Sequence, residues 1–194
     1  MEVQPFKNIK DIENIKRYLL RKGNLRNYNL FIMGINVGLR ISDLLDFKLN
    51  DVWDFREWKP KEEVIIKEMK TDKIRKIKLN NSVKESIRMY IDSLTKLSED
   101  DWLFPSQKKG YNLKYQSVNR LLDEWIKDLR IKGNYGTHSL RKTFGYHLYM
   151  NNSSNPQILP YLMKIFNHTS QQITLRYIGL EDETLNNLYE ELNL

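Results

Sequence analysis

Apolar residues recur at every third or fourth position along most of this chain and at every second position only once. The exception is EVIIKEMKTDKIRKIKL, residues 63–79. There Ile74, Lys76 and Lys78 alternate against Arg75, Ile77 and Leu79. The spacing predicts two short strands joined by a tight turn at Thr71–Asp72–Lys73, with one basic face. VWDFREW, just before it, is compatible with a further strand. A chain patterned this way folds as helices around a core, with a small antiparallel sheet.

The helical segments have readable ends. In NIKDIENIKRYLLRKG, Ile9, Ile12, Ile15 and Leu19 form one stripe, and Gly23 closes it as a left-handed cap. NLRNYNLFIMGINVG is a more buried helix ending at Gly38, and ISDLLDFKL a short third one. In SVKESIRMYIDSLTKL, Ser82 and Glu85 read as a capping box, with Val83, Ile87, Ile91 and Leu94 facing inward. SVNRLLDEWIKDLRIKG repeats the scheme from Ser117 to Gly133. HSLRKTFGYHLYM places Leu140, Phe144 and Leu148 four residues apart, and PQILPYLMKIF puts Pro156 or Pro160 in a first turn. LEDETLNNLYEELNL, with its acidic start, predicts a final helix over 181–194.

The chain's 194 residues fit one domain with a real core. No cysteine is present, which excludes disulfides, thiolate catalysis and cysteine-ligated zinc. No apolar run approaches the ~18 residues of a membrane helix, and MEVQPFKNIKDI lacks the apolar stretch of a signal peptide. A cytoplasmic protein with no membrane partner is expected. The net charge of +7 favours a polyanionic partner, with DNA or RNA the commonest.

Three stretches carry chemistry suited to a phosphodiester. In GLRISDLL, Arg40 follows a helix-ending glycine, and Asp43 stands three residues on, where it orients the guanidinium. In THSLRKTF, His138 and Arg141 are three apart at a helix start, a position that favours anions. In NHTSQQITLRY, His168 follows a helix and Tyr177 lies nine positions later. A phenol of pKa ~10 is a weak nucleophile at neutral pH, and the phosphate's charge repels it. Forked guanidinium groups answer the charge that builds on the non-bridging oxygens, and a leaving 5′-oxygen needs an acid.

G-L-R-x-x-D, a basic hairpin, H-x-L-R, and a histidine with a tyrosine nine residues on resemble, in that order, the catalytic domain of the tyrosine recombinases, the phage-type integrase family. The resemblance spans residues 36–177. It implies an α+β fold, mostly helical with a small antiparallel sheet, and a site-specific recombinase that cleaves and rejoins double-stranded DNA without metal or other cofactor. It casts Tyr177 as the nucleophile that forms a 3′-phosphotyrosine, and Arg40 and Arg141 as the phosphate clamp. His138 takes or relays the proton of Tyr177, and His168 bonds the phosphate. The family's general-acid lysine matches Lys70, with Lys73 the alternative. Lys73, Arg75 and Lys142 become DNA contacts.

Three residues depart from the family's pattern. Phe166 and Asn167 stand where many members have Leu-Gly, and Lys142 where many have histidine. Only 39 residues precede Arg40, so the N-terminal DNA-clamp domain is expected to be absent and residues 1–194 to form one catalytic domain. The family further implies a homo-tetramer on DNA, with a monomer in solution allowed, and a segment 181–194 that docks on a neighbouring subunit. The alternative is a DNA-binding module that retains the fold without the chemistry. A topoisomerase-like enzyme is disfavoured by His138, and a metal-dependent nuclease by carboxylates that do not cluster in the sequence.

Overall fold

The structure, a computed structural model, describes residues 2–67 and 74–180. Among them are nine helices and four short strands. The helices are α1 (Ile9–Arg21), α2 (Leu25–Asn36), α3 (Ile41–Leu45), α4 (Leu49–Val52), α5 (Asn81–Asp92), α6 (Tyr115–Asp128), α7 (Thr137–Met150), α8 (Ile158–Phe166) and α9 (Gln171–Ile178). The strands are β1 (Trp53–Asp54), β2 (Lys59–Pro60), β3 (Glu63–Lys67) and β4 (Ile74–Lys78), all between α4 and α5. The fold is the mostly helical α+β one expected. None of the described helices is long and apolar enough to cross a membrane.

The period-2 segment forms an antiparallel hairpin in which Glu63 pairs with Lys78 and Lys67 with Ile74. Ile74, Lys76 and Lys78 face solvent, Arg75 and Ile77 are half-buried, and Leu79 is buried, so the alternation was read in the right phase. VWDFREW supplies β1, which pairs with β2 in a second, two-residue ladder. The turn at Thr71–Asp72–Lys73 and the segment 181–194 lie outside the described residues.

Helix ends differ from the expectation in instructive ways. α5 starts at Asn81, and the side chain of Asn80, not Ser82, accepts from the backbone N–H of Val83 at 3.0 Å. The first strong cap in the run wins, and Ser82 then lies inside the first turn. Ile9 opens α1 but is exposed, so the inward stripe begins at Ile12. α6 starts at Tyr115 and stops at Asp128, short of Gly133. Gly23 and Gly38 do take left-handed φ values, +64° and +65°, after α1 and α2. Pro160 sits in the first turn of α8, where no N–H is needed.

Two buried clusters organise the chain. The larger gathers α1 to α6 and the hairpin around Phe31, Trp53, Phe104 and Trp125, and it reaches Leu140 of α7. The smaller joins Ile158, Leu162 and Phe166 of α8 to Ile178 and Leu180, with Phe144 and Tyr177 packed on it. α7 lies between them, packed on α2, α6, α8 and α9. Its approach to the small cluster is close: a Cβ on Gly145 would sit 2.6 Å from Phe166 and 2.7 Å from Ile178.

Candidate active site

Arg40 owes its place to the turn between α2 and α3. Gly38 reverses the chain with a positive φ, and Leu39 and Ile41 anchor in the core on either side. Arg40 itself is the extended residue before α3 (φ −66°, ψ 148°), so its side chain leaves the core. Buried Asp43, one turn on, brings a carboxylate oxygen to 3.8 Å from Arg40 Nη1.

α7 begins at Thr137, and Gly136 N–H donates to Ser139 Oγ at 3.1 Å. His138 is exposed in that first turn, one turn before Arg141. Arg141 is buried (5% exposed). Its Nη2 donates to the Ile165 carbonyl at 3.1 Å, and its guanidinium lies 5.0 Å over the Phe166 ring. Arg75 of β4 donates from Nη1 to the same carbonyl, also at 3.1 Å. The last carbonyls of a helix have no intrahelical partner and carry the negative end of its dipole. The end of α8 thus collects two guanidinium groups from elements far apart in sequence.

His168 and Tyr177 flank the same phenylalanine. Asn167 turns the chain left-handed at φ +59°, and His168 N–H closes α8 on Met163 O at 2.9 Å. The His168 ring is 5.0 Å from Tyr177, edge to face, and 5.4 Å from Phe166. Phe166 and Tyr177 are also 5.0 Å apart. α9 starts on Ser170, whose Oγ accepts from Ile173 N–H, so Tyr177 comes in its last turn. On the buried side of α9, Thr174 is fully covered, with Oγ1 3.1 Å from His168 Nδ1.

An extended segment, residues 2–7, ties these parts together. Phe6 N–H donates to Thr143 Oγ1 at 2.7 Å, and His147 Nε2–H donates to Phe6 O at 2.8 Å. Lys7 Nζ donates to the Gly179 carbonyl at 2.7 Å, at the end of α9. Glu2 pairs with Lys142 Nζ at 2.5 Å.

Electrostatics follow the geometry. Burial pushes the Tyr177 phenol up from its ordinary value, while Arg141 and Arg40 pull it down and Glu2 opposes them. Burial, then Arg141 and Arg40, hold His168 below the usual histidine range. Both cations therefore act on both groups. The arrangement presents a protonated phenol, a neutral imidazole and the Arg141 guanidinium around Phe166, with the charge of Arg40 acting on both rings, a setting that favours an anion beside the phenol.

The structure thus brings Arg40, Arg141, His168 and Tyr177 together, with Asp43 behind Arg40 and His138 at the head of the helix that carries Arg141. Lys70 and Lys73 lie outside the described residues. Lys142 is placed otherwise than expected: buried, paired with Glu2, and 5.1 Å over the Tyr177 ring. One residue past Arg141 is a rotation of about 100° around the helix, which turns it under α9. Arg75 likewise turns inward to Ile165, and Lys76 of the outer face pairs with Glu63 at 2.9 Å. Sequence reasoning missed Thr174, Lys7 and Glu2. Thr174 had one available signal, a position four residues before Ile178 on the inward stripe of α9.

The sequence model described as the phage integrase family matches residues 5–184. The chain is 37% identical to the probable integrase/recombinase YoeC of Bacillus subtilis over 188 residues, 97% of this chain and 96% of that protein. It is 24% identical to tyrosine recombinase XerC of Thermodesulfovibrio yellowstonii over 160 residues, 79% of this chain but only 50% of that one. Among solved structures, the crystal structure of XerA recombinase superposes with a TM-score of 0.74 at 20% identity, covering 100% of this chain and 67% of that one.

Proposed function

The chain belongs to the phage integrase family, and from that premise we propose that it is a site-specific DNA recombinase acting through a covalent 3′-phosphotyrosine at Tyr177. The observation that carries this reading is the convergence of Tyr177, His168 and Arg141 on Phe166, with the charge of Arg40 acting on both Tyr177 and His168. A tyrosine oxygen attacks the scissile phosphorus, the bond to the 5′-oxygen breaks, and that oxygen leaves as a hydroxyl after taking a proton. The phenol's proton passes to His138 or to solvent. Lys70 or Lys73 is the acid. Rejoining is the reverse, with a 5′-hydroxyl attacking the phosphotyrosine.

Arg40 and Arg141 supply fixed positive charge where the non-bridging oxygens gain negative charge, which is the largest contribution such a site can make. The reaction is metal-free on this reading, so a chelator leaves strand cleavage intact. Loss of cleavage with chelator, restored by magnesium, contradicts it. The partner is double-stranded DNA, and the assembly is a homo-tetramer in which 181–194 docks on a neighbouring subunit. Deleting 181–194 should then reduce strand exchange more than single-strand cleavage.

The test is covalent capture. A pool of nicked duplexes of randomised sequence, in which the cleaved end diffuses away, is incubated with the protein and run on a denaturing gel. A labelled adduct is expected with the wild-type chain and none with Tyr177→Phe. An adduct that persists in that variant removes Tyr177 from the reaction. Absence of any adduct, with binding retained, favours the DNA-binding module.

A further inference from the structure

Thr174 is fully buried on α9, three residues before Tyr177, and two polar groups converge on its one hydroxyl. Its Oγ1 lies 3.1 Å from the Ser170 carbonyl and 3.1 Å from His168 Nδ1. A hydroxyl has a single proton. A carbonyl only accepts, so both contacts are hydrogen bonds at once only when that proton goes to Ser170 O, which also takes the longer helix bond from Thr174 N–H at 3.3 Å. Toward His168 the same oxygen accepts, and the proton of that second bond therefore sits on His168 Nδ1.

We propose that Thr174 is a positioning residue that holds His168 as the Nδ1–H tautomer, so that His168 binds the DNA phosphate only after taking one proton from solvent on Nε2. This rests on the reading of Tyr177 and His168 as the phosphate site. The charges facing the ring agree with it. Arg141 of α7 and Arg40 ahead of α3 both oppose a cationic imidazole, as does burial, so the resting ring is neutral. Tyr177 faces it from α9 and Phe166 from α8, and neither offers a negative charge. Glu2 and Lys142, beside Tyr177, pair with each other.

A neutral ring protonated on Nδ1 presents a lone pair at Nε2. A phosphate oxygen also presents lone pairs, and two acceptors do not bond. Once the phosphate enters between the arginines, its negative charge offsets theirs, and protonation of Nε2 becomes favourable. Nε2–H then donates to a non-bridging oxygen as a charge-assisted bond.

Nitrogen resonances of the imidazole test the idea without any chemistry on DNA. The full chain has three histidines, and His168 is assigned by its loss in His168→Gln. In the DNA-free protein at pH 7.5, the Nδ1–H pattern is expected for wild type and for Thr174→Ser, which keeps the hydroxyl. Thr174→Val, which keeps the shape and loses the acceptor, should shift His168 toward the Nε2–H form. An Nε2–H pattern in wild type, or no difference in Thr174→Val, overturns the tautomer. With Tyr177→Phe saturated by the randomised duplex pool, His168 should become the imidazolium at the same pH; a ring that stays neutral overturns the proton uptake. The pH profile of adduct formation should move in Thr174→Val and return in Thr174→Ser. Failure of adduct formation in every form of the protein counts against the recombinase reading and leaves the tautomer result standing.

Discussion

Ile165 accepts at one carbonyl oxygen from both Arg75 and Arg141. The shared bond fixes the direction of both guanidinium forks. Arg141→Ala and Arg40→Ala should each lower adduct formation by about 10²–10³, the scale for loss of one transition-state donor. A loss below about tenfold at both means the phosphate binds elsewhere. Arg75→Ala acts at one remove and should cost up to about 10², as misplaced groups do, with Arg75→Lys giving little rescue because lysine lacks the fork. His168 also sets a pH dependence of stability. Its folded pKa lies below its unfolded value, through burial and then Arg141 and Arg40, so the unfolded chain takes up the extra proton. That stability is complete above about pH 6.5 and declines as pH falls through the ordinary histidine value. Urea midpoints at pH 7.5 and 5.5 should differ more for wild type than for His168→Gln. At this scale the pairs Arg40–Asp43, His138–Arg141 and His168–Tyr177 were legible because each spacing is local, and the family resemblance joined them. The directions of Arg75 and Lys142 were not, since each depends on which helix packs beside it.

α7 has the sequence of a surface-breaking helix, yet it buries Ser139, Arg141, Lys142 and Thr143. Two clusters closing on either side make that arrangement tolerable, with Arg141, Lys142 and Thr143 bonded to Ile165, Glu2 and Phe6, and Ser139 to Gly136 at the helix's own start. Periodicity named this helix and its apolar positions, but the polar burial came from its neighbours. The hairpin was legible for the opposite reason, because a period of two survives any packing. Gly145→Ala tests how tightly α7 is wedged. Its added methyl would meet Phe166 and Ile178 below 2.8 Å, so a loss of about 1–3 kcal/mol is expected in urea unfolding. Because Phe166 touches Arg141, His168 and Tyr177, adduct formation should fall with it. On the far side, Tyr18 of α1 donates to Asp128 of α6 at 2.7 Å. Burial and then that carboxylate push its phenol up to about 12. Tyr18→Phe should destabilise the fold by about 1–2 kcal/mol while leaving the relative rates of the folded enzyme unchanged.

For the whole molecule, net charge was the first guide to the partner. A surface that neutralises DNA phosphates should lose affinity for a random duplex steeply between about 50 and about 200 mM salt, and a flat response contradicts a backbone-tracking surface. The charge did not reveal where its cations would stand: one lysine lies buried beneath Tyr177, and another closes α9. Lys7 holds the Gly179 carbonyl across 172 residues of sequence. Lys7 meets its partner only after the residues between them have been made and folded, so this contact closes late. The end of α9 is therefore fixed only once everything between has taken its place, and Lys7→Ala should blunt adduct formation even where binding to DNA is intact.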